Sequence, residues 1–176
     1  MNWLSNVNRL SKKILFVVSV AFLLPGTALA DGLKLKHADA AWGDGTGGVP
    51  GKGICKRRGG EGLAPSVEIS GLPDGTTKVT LHFTDENWGS EGAHGVIGYS
   101  VPAGSGSVVV PSFAGETDDL PTGIEKIGAH QCYDCGGGVY LGPCSGGRGH
   151  AYTVYVYARD ADGNKLAKGK LGLGNY

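Results

Sequence analysis

Two segments of the chain alternate hydrophobic and polar residues with a period of two, the pattern of a β-strand that buries one face. They are Lys78–Asp85 and Ala151–Arg159. In the first, Val79, Leu81 and Phe83 alternate with Thr80, His82 and Thr84. In the second, Tyr152, Val154, Val156 and Ala158 alternate with Thr153, Tyr155 and Tyr157. Both segments are therefore predicted to be strands.

Shorter patterns predict the other extended elements. Strands are expected at Leu33–Lys36, Val67–Ser70, His94–Val101, Ser107–Phe113 and Lys165–Leu173, with a short extended piece at Val139–Leu141. Residues 114–137 are predicted to form a long loop with one helical turn near Ile124. No window has a helical period of useful length. Short strands between Gly-rich turns indicate an all-β fold, a sandwich or barrel with few short helical turns.

The first 30 residues have the three parts of a cleavable signal peptide. Three basic residues precede an apolar run over residues 14–24, and Ala28-Leu29-Ala30 has the small-x-small pattern that signal peptidase accepts. The run has 11 residues, whereas a helix needs about 20 to cross a bilayer. We expect cleavage before Asp31, a periplasmic or secreted location, no transmembrane segment in the mature chain, and a single domain over residues 31–176.

Composition and charge narrow the classes of function. The whole chain has 33 glycines and balanced charge, and removal of residues 1–30 leaves 13 basic against 16 acidic residues, a net charge of −3. This charge argues against binding nucleic acid through bulk electrostatics. The sequence contains no GxSxG, HExxH or P-loop motif. We therefore predict a protein that is not an enzyme and uses no cofactor.

All four cysteines follow the predicted signal peptide, and an even number in an oxidising compartment predicts two disulfides. Spacing alone does not choose among the three pairings, and our working prediction is Cys132–Cys135 with Cys55–Cys144. The first pair forms a CxxC motif, but no strand precedes it and no helix follows it, so a structural disulfide is favoured over a redox motif. A zinc site using His130 and three cysteines is the remaining alternative.

Polar residues with useful chemistry occur at the predicted strand ends. Asp85 ends one strand, His94 begins the next, and His150 comes directly before the last long strand, close to Tyr152. Loops and strand ends are where a rigid β-scaffold presents binding groups. Each residue taken singly is more simply an ordinary hydrogen-bonding side chain.

Several stretches also carry a family resemblance through their order and spacing. Residues 64–76, APSVEISGLPDGT, resemble "SPPLSWSGLPEGT", and Asp85-Glu86-Asn87 falls where "DPD" is expected. Residues 140–144, YLGPC, followed by residues 149–152, GHAY, resemble "YGGPCPP…HRY". Together these stretches resemble the phosphatidylethanolamine-binding protein (PEBP) family, in particular its bacterial YbhB/YbcL-like branch, over residues 45–176.

The resemblance implies a β-sandwich with a small anion pocket and no metal. On this chain the implied ligand-binding residues are Asp85, His94, His150 and Tyr152, with Gly142 and Pro143 shaping the rim. The chain departs from the family pattern at three places near the pocket. Asn87 replaces the second Asp of "DPD", Ser145 and Gly146 replace two prolines, and Ala151 replaces an arginine, which removes a cation.

Three functions follow from these observations. The first is a non-enzymatic binding protein for a small anionic ligand or a phospholipid headgroup. The second is a thiol–disulfide exchange protein that uses Cys132 and Cys135. The third is a structural or inhibitor-type domain that binds a protein partner.

Overall fold

The computed structural model describes the backbone of residues 30–176 and the side chains of residues 32–176. It contains nine strands: β1 Ala30–Asp31, β2 Lys34–His37, β3 Val67–Ser70, β4 Lys78–Asp85, β5 Val96–Ser100, β6 Ser107–Val110, β7 Ile124–Gly128, β8 Ala151–Arg159 and β9 Lys165–Asn175. Three short 3-10 helices occur at Ala40–Trp42, Gly51–Gly53 and Lys56–Arg58. The predicted all-β fold class with few helical turns is confirmed.

The strands form two sheets. The larger has the order β1-β9-β8-β4-β5-β7 and the smaller has the order β2-β3-β6. Neighbouring strands are antiparallel except β1 and β9, which are parallel. The two segments with the clearest alternation, β4 and β8, lie side by side at the centre of the larger sheet. They pair along their length, from Lys78 opposite Arg159 to Asp85 opposite Tyr152.

The core lies between the sheets and contains the hydrophobic positions that the alternation singled out. From the larger sheet, Val79, Leu81, Phe83, Val154, Val156 and Ala158 are each no more than 1% exposed. The smaller sheet contributes Val67, Ile69 and Val110, all fully buried. Each of these Val, Leu, Ile and Phe side chains contributes about 1.5–3 kcal/mol by leaving water. The opposite face of β4 is also partly covered, because Thr80 and Thr84 are buried there.

Most predicted strands occur close to their predicted positions. Val67–Ser70, Lys78–Asp85 and Ala151–Arg159 have the predicted bounds, β2 is displaced by one residue, and β9 continues to Asn175. The strand expected over Ser107–Phe113 ends at Val110. Pro111 follows directly and has no N–H to continue a β-ladder.

The helical turn expected near Ile124 is wrong, because this residue begins β7. Ile124 pairs with Tyr99 of β5, and its side chain is buried, whereas Glu125 and Lys126 are exposed. One inward residue followed by charged residues is typical of a short strand at a sheet edge. Val139–Leu141, expected to be extended, is not a strand; its amides donate separately to Gly115 and His94.

Two predictions concern the beginning of the chain. The signal peptide predicted over residues 1–30 lies almost wholly outside the described residues and stays a prediction. Within residues 30–176, no helix is both long and apolar enough to cross a membrane.

Both disulfides have the expected pairing. Cys55 is bonded to Cys144 across 89 positions, and Cys132 is bonded to Cys135 across three. The first bond joins the segment before the Lys56–Arg58 helix to the loop before β8, with Cys55 fully buried. By restricting the unfolded chain, a long closed loop stabilises the fold more than a short one.

Replacing Cys55 and Cys144 together by alanine is expected to destabilise the domain by about 4–5 kcal/mol, because the bond closes a loop of 89 residues. Urea unfolding followed by fluorescence measures this change. The matched control is the double replacement of Cys132 and Cys135, expected to cost about 2 kcal/mol or less. Equal losses in the two double variants would contradict the loop-length explanation.

Candidate functional site

A cavity of about 180 Å³ opens at one edge of the larger sheet. Its lining residues are Asp85, Trp88, His94, Cys132, Cys135, Leu141, Cys144, Ser145, Arg148, His150 and Tyr152. Four of the six predicted ligand-binding residues, Asp85, His94, His150 and Tyr152, are therefore brought together. The antiparallel register explains this convergence. The last residue of β4, the first residues of β8 and the residues just before β5 all lie at the same end of the larger sheet.

Asp85 anchors His150. The Asp85 side chain is 4% exposed, and its Oδ2 atom lies 2.7 Å from Nδ1 of His150. The other carboxylate oxygen, Oδ1, accepts a hydrogen bond from the backbone N–H of Asn87 at 2.9 Å. Because an ionised carboxylate only accepts hydrogen bonds, Nδ1 of His150 carries a proton. Its Nε2 atom is thereby the ring nitrogen left for a ligand.

His94 is held more deeply. Its Nδ1 atom donates to the carbonyl of Leu141 at 2.8 Å, and its Nε2 atom lies 4.0 Å from Oδ2 of Asp85. Trp88 and Tyr152 pack against its ring in T-shaped arrangements. Burial lowers the pKa of His94, against the opposing effects of the Leu141 carbonyl and Asp85. The imidazole is therefore neutral at pH 7 and becomes cationic only in acid.

A glycine fixes the position of His94. Gly95 has φ +116°, and a Cβ atom there would lie 2.0 Å from the carbonyl oxygen of Val139. This close approach sets His94 beside Leu141, whose N–H donates to the His94 carbonyl at 2.9 Å. The irregular backbone also explains why β5 begins at Val96 and not at His94, as the sequence predicted.

Tyr152 organises the loop in front of β8. Its hydroxyl oxygen accepts hydrogen bonds from the backbone N–H groups of Cys144, at 3.1 Å, and Ser145, at 3.0 Å. Burial raises the pKa of Tyr152, so the phenol is neutral at neutral pH. The Ser145 hydroxyl donates to the backbone carbonyl of Tyr176. Hydrogen bonds therefore hold the part of the rim in which Ser145 and Gly146 stand in place of two prolines.

Gly142 and Pro143, the other two predicted residues, are buried but are not among the lining residues. A Cβ atom on Gly142 would lie 2.3 Å from the carbonyl oxygen of Gly53. The Pro143 carbonyl accepts a hydrogen bond from the N–H of Cys55 at 3.1 Å. Close backbone packing therefore places them behind the pocket, where they join its wall to the Cys55 segment.

Arg148 is the lining residue that sequence reasoning missed and that matters most for charge. Its Nη1 atom donates to the carbonyl of Ser145 at 2.7 Å, which holds the guanidinium at the rim. Arg148 thus supplies a positive charge three residues before Ala151, the position at which the family pattern has an arginine. A single arginine in a Gly-rich loop has no periodicity, and only its closeness in sequence to His150 could have indicated it.

One cation, Arg148, and several hydrogen-bonding side chains line this cavity together with the buried carboxylate of Asp85. The Asp85 carboxylate is hydrogen-bonded to His150, and Arg148 supplies a permanent positive charge. Among residues 32–176, no three His, Cys, Asp or Glu side chains converge in a way that would hold a metal ion. Each disulfide contributes at least one cysteine to the cavity wall, and no cysteine in residues 32–176 is free. The alternative zinc site, which needs free thiolates, is therefore wrong.

Domain stability is expected to fall as the pH decreases from about 7.5 to about 5. Burial lowers the pKa of His94 below 6.5, and that of His37 and His82 likewise. The unfolded chain therefore binds more protons than the folded chain below about pH 6.5, and acid favours unfolding. Urea unfolding at several pH values measures the slope. His94→Asn, which keeps a donor for the Leu141 carbonyl, should give a shallower slope; an unchanged slope would exclude His94 as a contributor.

Comparisons with known proteins bear on the fold. No family model matches the sequence, and no curated protein matches it. Among solved structures, the chain is similar to E. coli YbcL, described as a new member of the mammalian PEBP family, with 21% sequence identity and a TM-score of 0.57. The match covers 79% of this chain and 94% of that chain. The chain therefore has the PEBP fold that the sequence resemblance implied.

Proposed function

We propose that this chain is an exported, non-enzymatic binding protein whose pocket takes a small anionic group of the phosphate type. The observation that supports this most directly is the convergence of His94, His150 and Arg148 on one cavity beside the buried Asp85. Guanidinium N–H groups donate strongly to phosphate and carboxylate oxygens, and His150 presents its remaining ring nitrogen, Nε2, beside them.

The position of Asp85 is consistent with this function. A bare carboxylate in the wall would repel an anion, but both oxygens of Asp85 accept hydrogen bonds from the protein, from His150 at 2.7 Å and from the N–H of Asn87 at 2.9 Å. The anion would then meet Nε2 of His150 and the guanidinium of Arg148, with the neutral ring of His94 behind them.

Size and family likeness narrow the ligand class. A cavity of about 180 Å³ has room for a single phosphate-type group and little more, since pockets for drug-sized molecules are about 300–1,000 Å³. The ligand is therefore either a free small anion or the headgroup of a larger molecule whose remainder stays outside. A phospholipid headgroup is the candidate that the sequence resemblance suggests.

Inorganic phosphate is expected to bind the oxidised domain with an affinity that falls at least about tenfold in His150→Ala and in Arg148→Ala, each of which removes a charge-assisted hydrogen bond. Isothermal titration calorimetry at low salt measures this. The matched control is His82→Ala, a histidine that interacts with Thr80 and Glu91 away from the cavity, and it should bind like the parent chain.

The same titration separates the two sources of the anion. Phosphorylethanolamine binding more tightly than phosphate, together with retention on phosphatidylethanolamine vesicles, would identify a headgroup ligand. Phosphate binding without vesicle retention would identify a free anion. Equal weak binding of phosphate to the parent chain and to both pocket variants would refute the proposal.

Export is supported by the signal-peptide pattern and by two disulfides, which persist in oxidising compartments. Expression of the full chain in a bacterial host should yield periplasmic protein with Asp31 as its first residue, as determined by N-terminal sequencing. An unprocessed chain that begins at Met1 and stays in the cytoplasm would contradict export.

A further inference from the structure

The Cys132–Cys135 disulfide lies on the wall of the same cavity as His94, Arg148 and His150. Both cysteines are half-buried, and the residues between them face solvent, with Tyr133 98% exposed. A disulfide that only held its own loop in place would not need to line a binding pocket. Both cysteines line the cavity, so a small molecule held there would lie next to this disulfide.

The two disulfides of the chain differ in what reduction would do. Cys55–Cys144 joins distant segments, and Cys55 is fully buried. Cys132–Cys135 closes a loop of only three positions, so opening it releases little chain entropy. The domain should therefore stay folded when Cys132–Cys135 alone is reduced.

Two arginines lie near the half-buried disulfide, whose motif also contains the acidic residue Asp134. Arg148 lines the cavity, and Nη1 of Arg57 donates to the carbonyl of Asp134, within the CxxC motif, at 3.3 Å. Nearby cations stabilise a thiolate, which is both the attacking species and the leaving group in thiol–disulfide exchange. An anionic substituent on the attacking molecule would be attracted by the same charges.

We propose that Cys132–Cys135 is a redox-active disulfide that exchanges with small thiols bearing an anionic group, which the pocket holds beside the sulfurs. The selectivity for the anionic group rests on the proposed anion-binding function. The exchange itself rests on the placement of the disulfide, its accessibility and the adjacent arginines.

The reaction balances with two thiols as the reductant. A substrate thiolate attacks one sulfur of the Cys132–Cys135 bond, a mixed disulfide forms, and the other cysteine leaves as a thiolate. A second substrate thiolate attacks the substrate sulfur of the mixed disulfide and releases the protein cysteine. Two substrate thiols are oxidised to one small disulfide, and the protein bond gains two electrons and two protons.

The test compares two thiols of similar size, 2-mercaptoethanesulfonate, which is anionic, and 2-mercaptoethanol, which is neutral. The oxidised domain is mixed anaerobically with each, quenched by alkylation, and analysed by peptide mass spectrometry, with rates expressed per thiolate. Cys132–Cys135 should be reduced about tenfold faster by the sulfonate, a difference that one nearby charge can supply. Cys55–Cys144 should stay intact over the same time.

Variants and a competitor assign the effect to the pocket. Arg148→Ala should reduce the preference for the sulfonate to about twofold or less, whereas Arg159→Ala, on the far face of β8 beside Thr80, should keep it. Inorganic phosphate should slow the sulfonate reaction and leave the 2-mercaptoethanol reaction unchanged. Equal rates for the two thiols, or a preference that survives Arg148→Ala, would overturn the inference.

The outcome is separable from that of the proposed function. Phosphate binding by calorimetry without any preference between the two thiols would refute the redox inference and leave the anion pocket standing. A preference that depends on Arg148, in a chain that does not bind phosphate, would support redox exchange and count against a phosphate-type resident ligand.

Discussion

The pairing of β4 with β8 is the constraint on which the rest of the structure depends. Its register sets Asp85 opposite Tyr152 at the sheet edge and buries the hydrophobic faces of both strands in one core. A slip by one residue would turn those faces outward. Because the core holds the register, the carboxylate and the phenol both reach the cavity.

Around that pairing, the cavity is built from segments that have little regular structure of their own. The loop before β8 is held by Tyr152 through two backbone N–H groups and by the Cys55–Cys144 bond. The segment through Leu141 is held by both hydrogen bonds to His94. A rigid sheet thus carries a wall made of loops, in which Asp85, His94 and Tyr152 have protein partners before any ligand arrives.

Periodic parts of the chain were predictable, and aperiodic parts were not. Lys78–Asp85 and Ala151–Arg159 repeat every two residues, so their faces and bounds follow from burial alone. The residues around Ile124 do not alternate between hydrophobic and polar over enough positions to show a period of two. This segment is a strand because it pairs with β5. Arg148 and the position of the Cys132–Cys135 bond depend on how loops fold over the sheet edge, which no local pattern encodes.

The contact between Gly95 and the Val139 carbonyl limits how this pocket could change over evolution. No side chain fits there, so the backbone next to His94, which lines the cavity, cannot be moved by substitution at Gly95. Insertions and deletions in the exposed Gly146–Gly149 loop meet no such obstacle. Descendants of this scaffold should therefore diversify their ligands from the outer rim and keep the depth of the cavity constant.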